Sequence, residues 1–145
     1  MTLYARYLAW LHATPKPPEG SKRAAMANYK PVSRLTAMNA RKVPVAMPPN
    51  RLPHMISRWI EIGMTAGGGM APAALSWLEI NEWQKSSCIT LCPWESRTIH
   101  ALSVAYVAEG RRAEEEACPP PWRAPVTAEE RASEEAALLA LFRRN

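Results

Sequence analysis

The sequence predicts an all-α protein: a small helical domain built on a Trp-rich helical hairpin, with a disordered or extended basic N-terminal arm and a C-terminal helix. Three observations carry this. Apolar residues recur at helical spacing between Met55 and Tyr106. A capping box at Ser76 and a proline at Pro93 mark two successive helix starts. Prolines and cations crowd the stretch before Met55, with no sustained period. The chain divides into a Pro-rich arm (1–53), a helical domain (54–122) and an amphipathic C-terminal helix (123–145).

The arm opens with a short helix, Met1 to His12, with Leu3, Tyr7, Trp10 and Leu11 on one side. Pro15, Pro17 and Pro18 end it. From Thr14 to Pro53 there are eight prolines among scattered Lys and Arg. Such a stretch buries too little apolar surface to offset its ordering entropy, roughly 1–2 kcal/mol per residue for the backbone. Charge separates the same way. Met1 to Met55 holds nine Lys/Arg against Glu19, a balance of +8, and the remainder holds nine against twelve Glu, a balance of −3; the two sum to the net +5. An alternative expectation is that translation naturally starts downstream, near Met55 or Met64.

In the domain, Ile56, Trp59, Ile60 and Met64 lie at helical spacing. Thr65 to Pro72, with three successive glycines, predicts a flexible break. Ser76 and Glu79 form the S-x-x-E capping box of the next helix, and Leu75 and Ile80 are placed as its hydrophobic staple. Trp77, Ile80 and Trp83 or Gln84 share a stripe. Ser86 to Cys92 forms the turn. Pro93 suits a first helical position, and Glu95 complements the dipole of the first turn. Ile99, Leu102 and Tyr106 continue one apolar stripe, with Trp94, Ala101 and Ala105 beside it. Glu114 to Glu116 extend this helix until Cys118-Pro-Pro-Pro-Trp122 stops it. Thr127 and Glu130 offer a second capping box. The helix after it is acidic at its start and basic at its end, with Leu138, Leu139, Leu141 and Phe142 in its last turns.

Composition excludes several chemistries. All thirteen acids are Glu, which removes Asp-based metal loops and any Ser-His-Asp triad. Cys88, Cys92, His100 and Cys118 are separated by four, eight and eighteen residues, unlike zinc knuckles. His12, His54 and His100 have no nucleophile at a spacing that suggests a pair. Gly67 to Gly69 lack the Lys and Ser/Thr of a phosphate loop. No catalytic, cofactor or metal site is expected, and the protein reads as a non-enzyme. The apolar run near Met1 is too short to span a bilayer. Three cysteines without a secretory signal predict reduced thiols in a cytoplasm. The basic arm, with Tyr4, Tyr7, Trp10 and Tyr29 for stacking, supports an alternative as a nucleic-acid binder.

Between Ser76 and Trp122, about a third of the chain, the sequence resembles small tail assembly chaperones of long-tailed bacteriophages and prophages. Their pattern is Leu-x-Trp-x-Glu-Ile, an aromatic three residues on, Leu-x-Pro-Trp-Glu, Ile or Leu, and a closing Ala-Tyr. Here it falls on Leu75, Trp77, Glu79, Ile80, Trp83, Leu91, Pro93, Trp94, Glu95, Ile99, Leu102, Ser103, Ala105 and Tyr106. The Cys118 to Trp122 run is similar too. The resemblance implies a helical assembly factor that coats the tape measure protein and recruits the major tail tube subunit. It also implies that the second of two paired assembly proteins is in some phages made by frameshifting, which would leave the start of such a chain uncertain.

The expected contact face is built or bordered by Trp77, Trp83, Trp94 and Tyr106, because a small domain cannot sequester so many indoles and Trp is enriched in contact hot spots. Leu138, Leu141 and Phe142 are expected to cover or extend it. Expected partners are the tape measure protein, the tail tube subunit and a second copy of the chain. The alternatives are a nucleic-acid-binding phage regulator and a minor structural tail protein kept in the virion.

Overall fold

Helix α5 (Pro93–Arg112) is the element against which three of the other helices pack. In the computed structural model, residues 1–22, 26, 30–67 and 71–142 are described, without the side chains of Glu130, Ala137 and Leu141. Among them are six helices and no strand: α1 (Thr2–His12), α2 (Arg34–Ala40), α3 (Pro53–Ile62), α4 (Trp77–Ser87), α5, and α6 (Ala128–Phe142). The fold is a small all-α domain. Helices α1, α3 and α4 all pack on α5, α2 packs on α1, and α3 touches α4. No described helix is long and apolar enough to cross a membrane.

The core follows from the inner stripe of α5. Ile99 and Leu102 are buried there against Met55, Ile56 and Trp59 of α3, Ile80 of α4, Ala5 of α1, and the flanking Leu75 and Leu91. Trp59 is wholly enclosed. Its ring meets the edge of Tyr106 at 5.4 Å, and its indole N–H donates to the Met64 carbonyl at 3.0 Å. A buried Trp needs that acceptor, since an unpaired indole N–H carries a desolvation cost.

The predicted helix starts are where local chemistry placed them. Ser76 Oγ accepts the Glu79 N–H at 3.2 Å, and the Glu79 carboxylate accepts the Ser76 N–H at 2.7 Å. At α5, Glu95 accepts the Cys92 N–H at 2.8 Å and pairs with Arg58 of α3. The backbone bond to Ser76 holds the Glu79 carboxyl below its ordinary range, and the one to Cys92 does the same for Glu95. α4 ends at Cys88, whose φ of 56° is left-handed; this turns the chain toward Pro93. Gly63, at φ 115°, ends α3 in the region where glycine carries no Cβ penalty.

Three expectations are corrected. First, residues 1–53 do not form an arm apart from the domain: α1 lies along α5 and buries Ala5, Tyr7, Ala9 and Leu11. Leu3 stays partly exposed, at 39%. Arg6 pairs with Glu109 at 2.7 Å. Arg34, capped into α2 by Ser33, donates to the carbonyls of Ala113 and Glu115 and lies 4.8 Å over the Trp10 ring. Two cations of the expected arm therefore meet acceptors toward the C-terminal end of α5, where the helix dipole favours them. The disorder expected at Arg23 to Ala25 and Ala27 to Tyr29 concerns residues outside the described ones.

Second, α5 stops at Arg112 rather than continuing through Glu116. Ala113 is fully buried, and the Glu114 carbonyl accepts the Lys16 N–H at 2.8 Å. Tertiary donors thus take carbonyls that another helical turn would have used. Third, Met55 rather than Ile60 faces the core from α3. The glycine loop is pinned at its ends by the Ala66 N–H donating to the Ala73 carbonyl at 2.9 Å. Gly68 and Gly69 lie outside the described residues.

Candidate functional site

The outer face of α5 is the most distinctive surface of the domain. Its exposed residues are Pro93, Trp94, Arg97, Ala101, Val104, Ala108, Arg111 and Arg112. They recur at three- and four-residue spacing, so they form one stripe opposite the buried one. The stripe holds three arginines and no acid. Both acids of α5 face the other way: Glu95 binds the Cys92 N–H and Arg58, and Glu109 is buried against Arg6. Arg111 donates to the Pro72 carbonyl at 3.4 Å, and Arg112 lies 4.0 Å from Glu109.

Helix α4 adds an indole to this face. Trp77 stacks on His100 of α5 with ring centroids 4.4 Å apart and planes within 7°. One turn further on is Val104. Trp77 and Trp94 are 50% and 52% exposed, and Leu78, next to Trp77, is 68% exposed. These apolar groups border the arginines rather than lying scattered singly, which is the arrangement that marks an interaction surface.

The other predicted residues divide. Trp83 is partly buried against the core. Tyr106 faces inward, between Trp59 and His12, and its hydroxyl lies 2.9 Å from His12 Nδ1. Burial raises its pKa. Both rings therefore pack with the core and not on the outer face of α5. Leu138 and Phe142 sit exposed on α6, which touches no other helix among the described residues, so these two do not cover the hairpin face within one copy. The side chain of Leu141 lies outside the described residues. The sequence reading missed His100, Val104 and the three arginines. Their signal was present as Arg97, Ala101, Val104, Ala108 and Arg111, a period-matched set on the side opposite Ile99 and Leu102.

Catalytic geometry is weak elsewhere. A groove of about 430 Å³ beside Thr14, Pro15 and Pro31 contains Lys16 and Glu114, which are paired with each other. A second, of about 230 Å³, is lined by Tyr7, Trp10, Pro44, Pro120 and Trp122. Neither sets a nucleophile beside a base. Cys88 and Cys92 are exposed and Cys118 is buried, and no three His, Cys, Asp or Glu among the described residues come together as metal ligands.

The fold and this face define a small all-α protein with an aromatic and cationic helical surface. No family model matches the chain, and no curated protein or solved structure matches it.

Proposed function

We propose that the protein is a tail assembly factor of the long-tailed phage and prophage type, which holds the tape measure protein or the tail tube subunit in an assembly-competent form in the host cytoplasm. The observation that carries this reading is the exposed pair Trp77 and Trp94 on an acid-free helical face, within the segment whose motif resembles that family. The mechanism is burial of helical surface on the partner, at roughly 25 cal/mol per Å² of apolar area before the costs of association. Arg97, Arg111 and Arg112 select a partner surface that is apolar with acidic flanks. No bond-making step is involved.

Co-purification of the full chain with the tape measure protein and the tail tube subunit tests this. Capture is expected, with loss on joint Trp77→Ala and Trp94→Ala substitution at unchanged helix content. Failure to capture either protein overturns it. Finding the chain in purified particles would favour the structural-subunit alternative. The nucleic-acid alternative rests on Lys22, Lys30, Arg41, Lys42 and Arg51, which are exposed. It loses Arg6, Lys16 and Arg34 to contacts within the chain. Binding to duplex DNA that falls steeply with salt would support it.

A further inference from the structure

Helix α6 has fifteen residues, and among the described residues it touches no other helix of its own chain. Every side chain described on it is exposed, including Leu138 and Phe142, the latter at 78%. A helix of this length is marginal in water unless an apolar face is packed. α6 therefore needs a partner surface, and its composition specifies one. Glu129, Glu130, Glu134 and Glu135 stand against Arg131, a balance of −3, and the leucines and Phe142 follow. The outer face of α5 carries three arginines, no acid, and an apolar remainder.

We infer that α6 of one copy docks antiparallel on the outer face of α5 of a second copy, and reciprocally, so that the chain self-associates by exchanging its C-terminal helices. The antiparallel register matches both halves of the pair. With Glu134 and Glu135 beside Arg111 and Arg112, Phe142 lies about 12 Å further along at ~1.5 Å per residue. That brings it level with Ala101 and Val104, beside the Trp77–His100 stack. A parallel register with the same pairing of glutamates and arginines carries Phe142 past Arg112, where α5 has ended. Ala101 and Ala108 leave room for the close approach of two helices.

The occupant is a second copy: among the described residues α6 meets no helix of its own copy, and the segment leading to it is fastened to α1 rather than to the outer face of α5. The Trp10 indole donates to the Cys118 carbonyl at 3.0 Å, and Trp122 meets the Tyr7 ring edge-on at 5.5 Å. Both anchors belong to α1, which covers the inner side of α5. Only Arg123 to Thr127 remain, a reach of about 17 Å when fully extended. Reciprocal exchange also gives a closed, two-fold pair with two such contacts.

Sedimentation of the full chain over a wide concentration range tests the inference. The wild type is expected to dimerise, less so as salt rises. Glu134→Lys with Glu135→Lys, or Arg111→Glu with Arg112→Glu, should each weaken the dimer by about tenfold or more, because like charges then face each other. Combining all four should restore it. A monomer at every concentration, a concentration-independent fold-back of α6, or a dimer insensitive to both reversals overturns the inference. Circular dichroism checks that each variant is folded. The test uses the chain alone, so a monomer that still captures tail proteins would overturn this inference and not the proposed function.

Discussion

The hydroxyl of Ser103 accepts the backbone N–H of Leu75 at 2.8 Å. It also donates to the Met64 carbonyl at 2.7 Å. One buried side chain on α5 thereby fastens both ends of the segment that joins α3 to α4. Leu75 directly precedes the Ser76 cap, so the same bond holds the start of α4, where Trp77 lies.

Ser103→Ala is expected to destabilise the domain by about 1–3 kcal/mol, since the buried Leu75 N–H loses its acceptor, while the Met64 carbonyl keeps the Trp59 indole N–H. Urea unfolding reads this as a lower midpoint at unchanged slope. An unchanged midpoint would refute the fastening role.

The tryptophans should fall into two groups. Trp59→Ala, in the enclosed core, should cost about 3–5 kcal/mol. Trp94→Ala should stay within about 0.5 kcal/mol, as exposed substitutions do. Trp77→Ala should lose at most about 0.5–1.5 kcal/mol from the His100 stack. Denaturation of the three variants decides it, and similar losses at Trp59 and Trp94 would contradict the burial pattern.

Acid should unfold the protein through its helix caps. The Glu79 and Glu95 carboxyls are held below their ordinary range when folded. The unfolded chain therefore binds protons more readily than the folded one. Their contribution is complete above the unfolded pKa, roughly 4.3, and disappears as pH falls through the lower folded values. Glu79→Gln and Glu95→Gln should lower stability at neutral pH and flatten the acid limb of a stability-versus-pH curve. Ser76→Ala should cost about 0.5–2 kcal/mol.

Arg34→Lys is expected to cost about 1.5–3 kcal/mol although it keeps the charge. A guanidinium spans the Ala113 and Glu115 carbonyls and lies over Trp10, and an ammonium cannot do all three. Thermal unfolding of the two chains measures it.

Deleting Met1 to His12 should uncover the surface of α5 that Ala5, Tyr7, Ala9 and Leu11 meet. The shortened chain should keep much of its helical far-UV signal and lose near-UV signal and cooperative unfolding. A shortened chain that unfolds as sharply as the full one would show that α1 is dispensable to the domain.

Features decided within a few residues could be read from the sequence alone. The Ser76–Glu79 box, Pro93 at the start of α5, and the helix after Thr127 are examples, because a cap and its partner lie within one turn. Trp77 and Trp94 were legible as candidate face residues for the same reason, as indoles at the start of two marked helices. Which side of each helix turned inward was decided only by the tertiary structure. The placement of α1 against α5 sent Glu109 inward to Arg6 and left Val104 and three arginines outside. It also turned Arg34 from a loose cation into a clamp on Ala113 and ended α5 before Glu114. Burial and charge pairing depend on groups far apart in the chain, and periodicity records where an apolar stripe lies but not which partner will cover it.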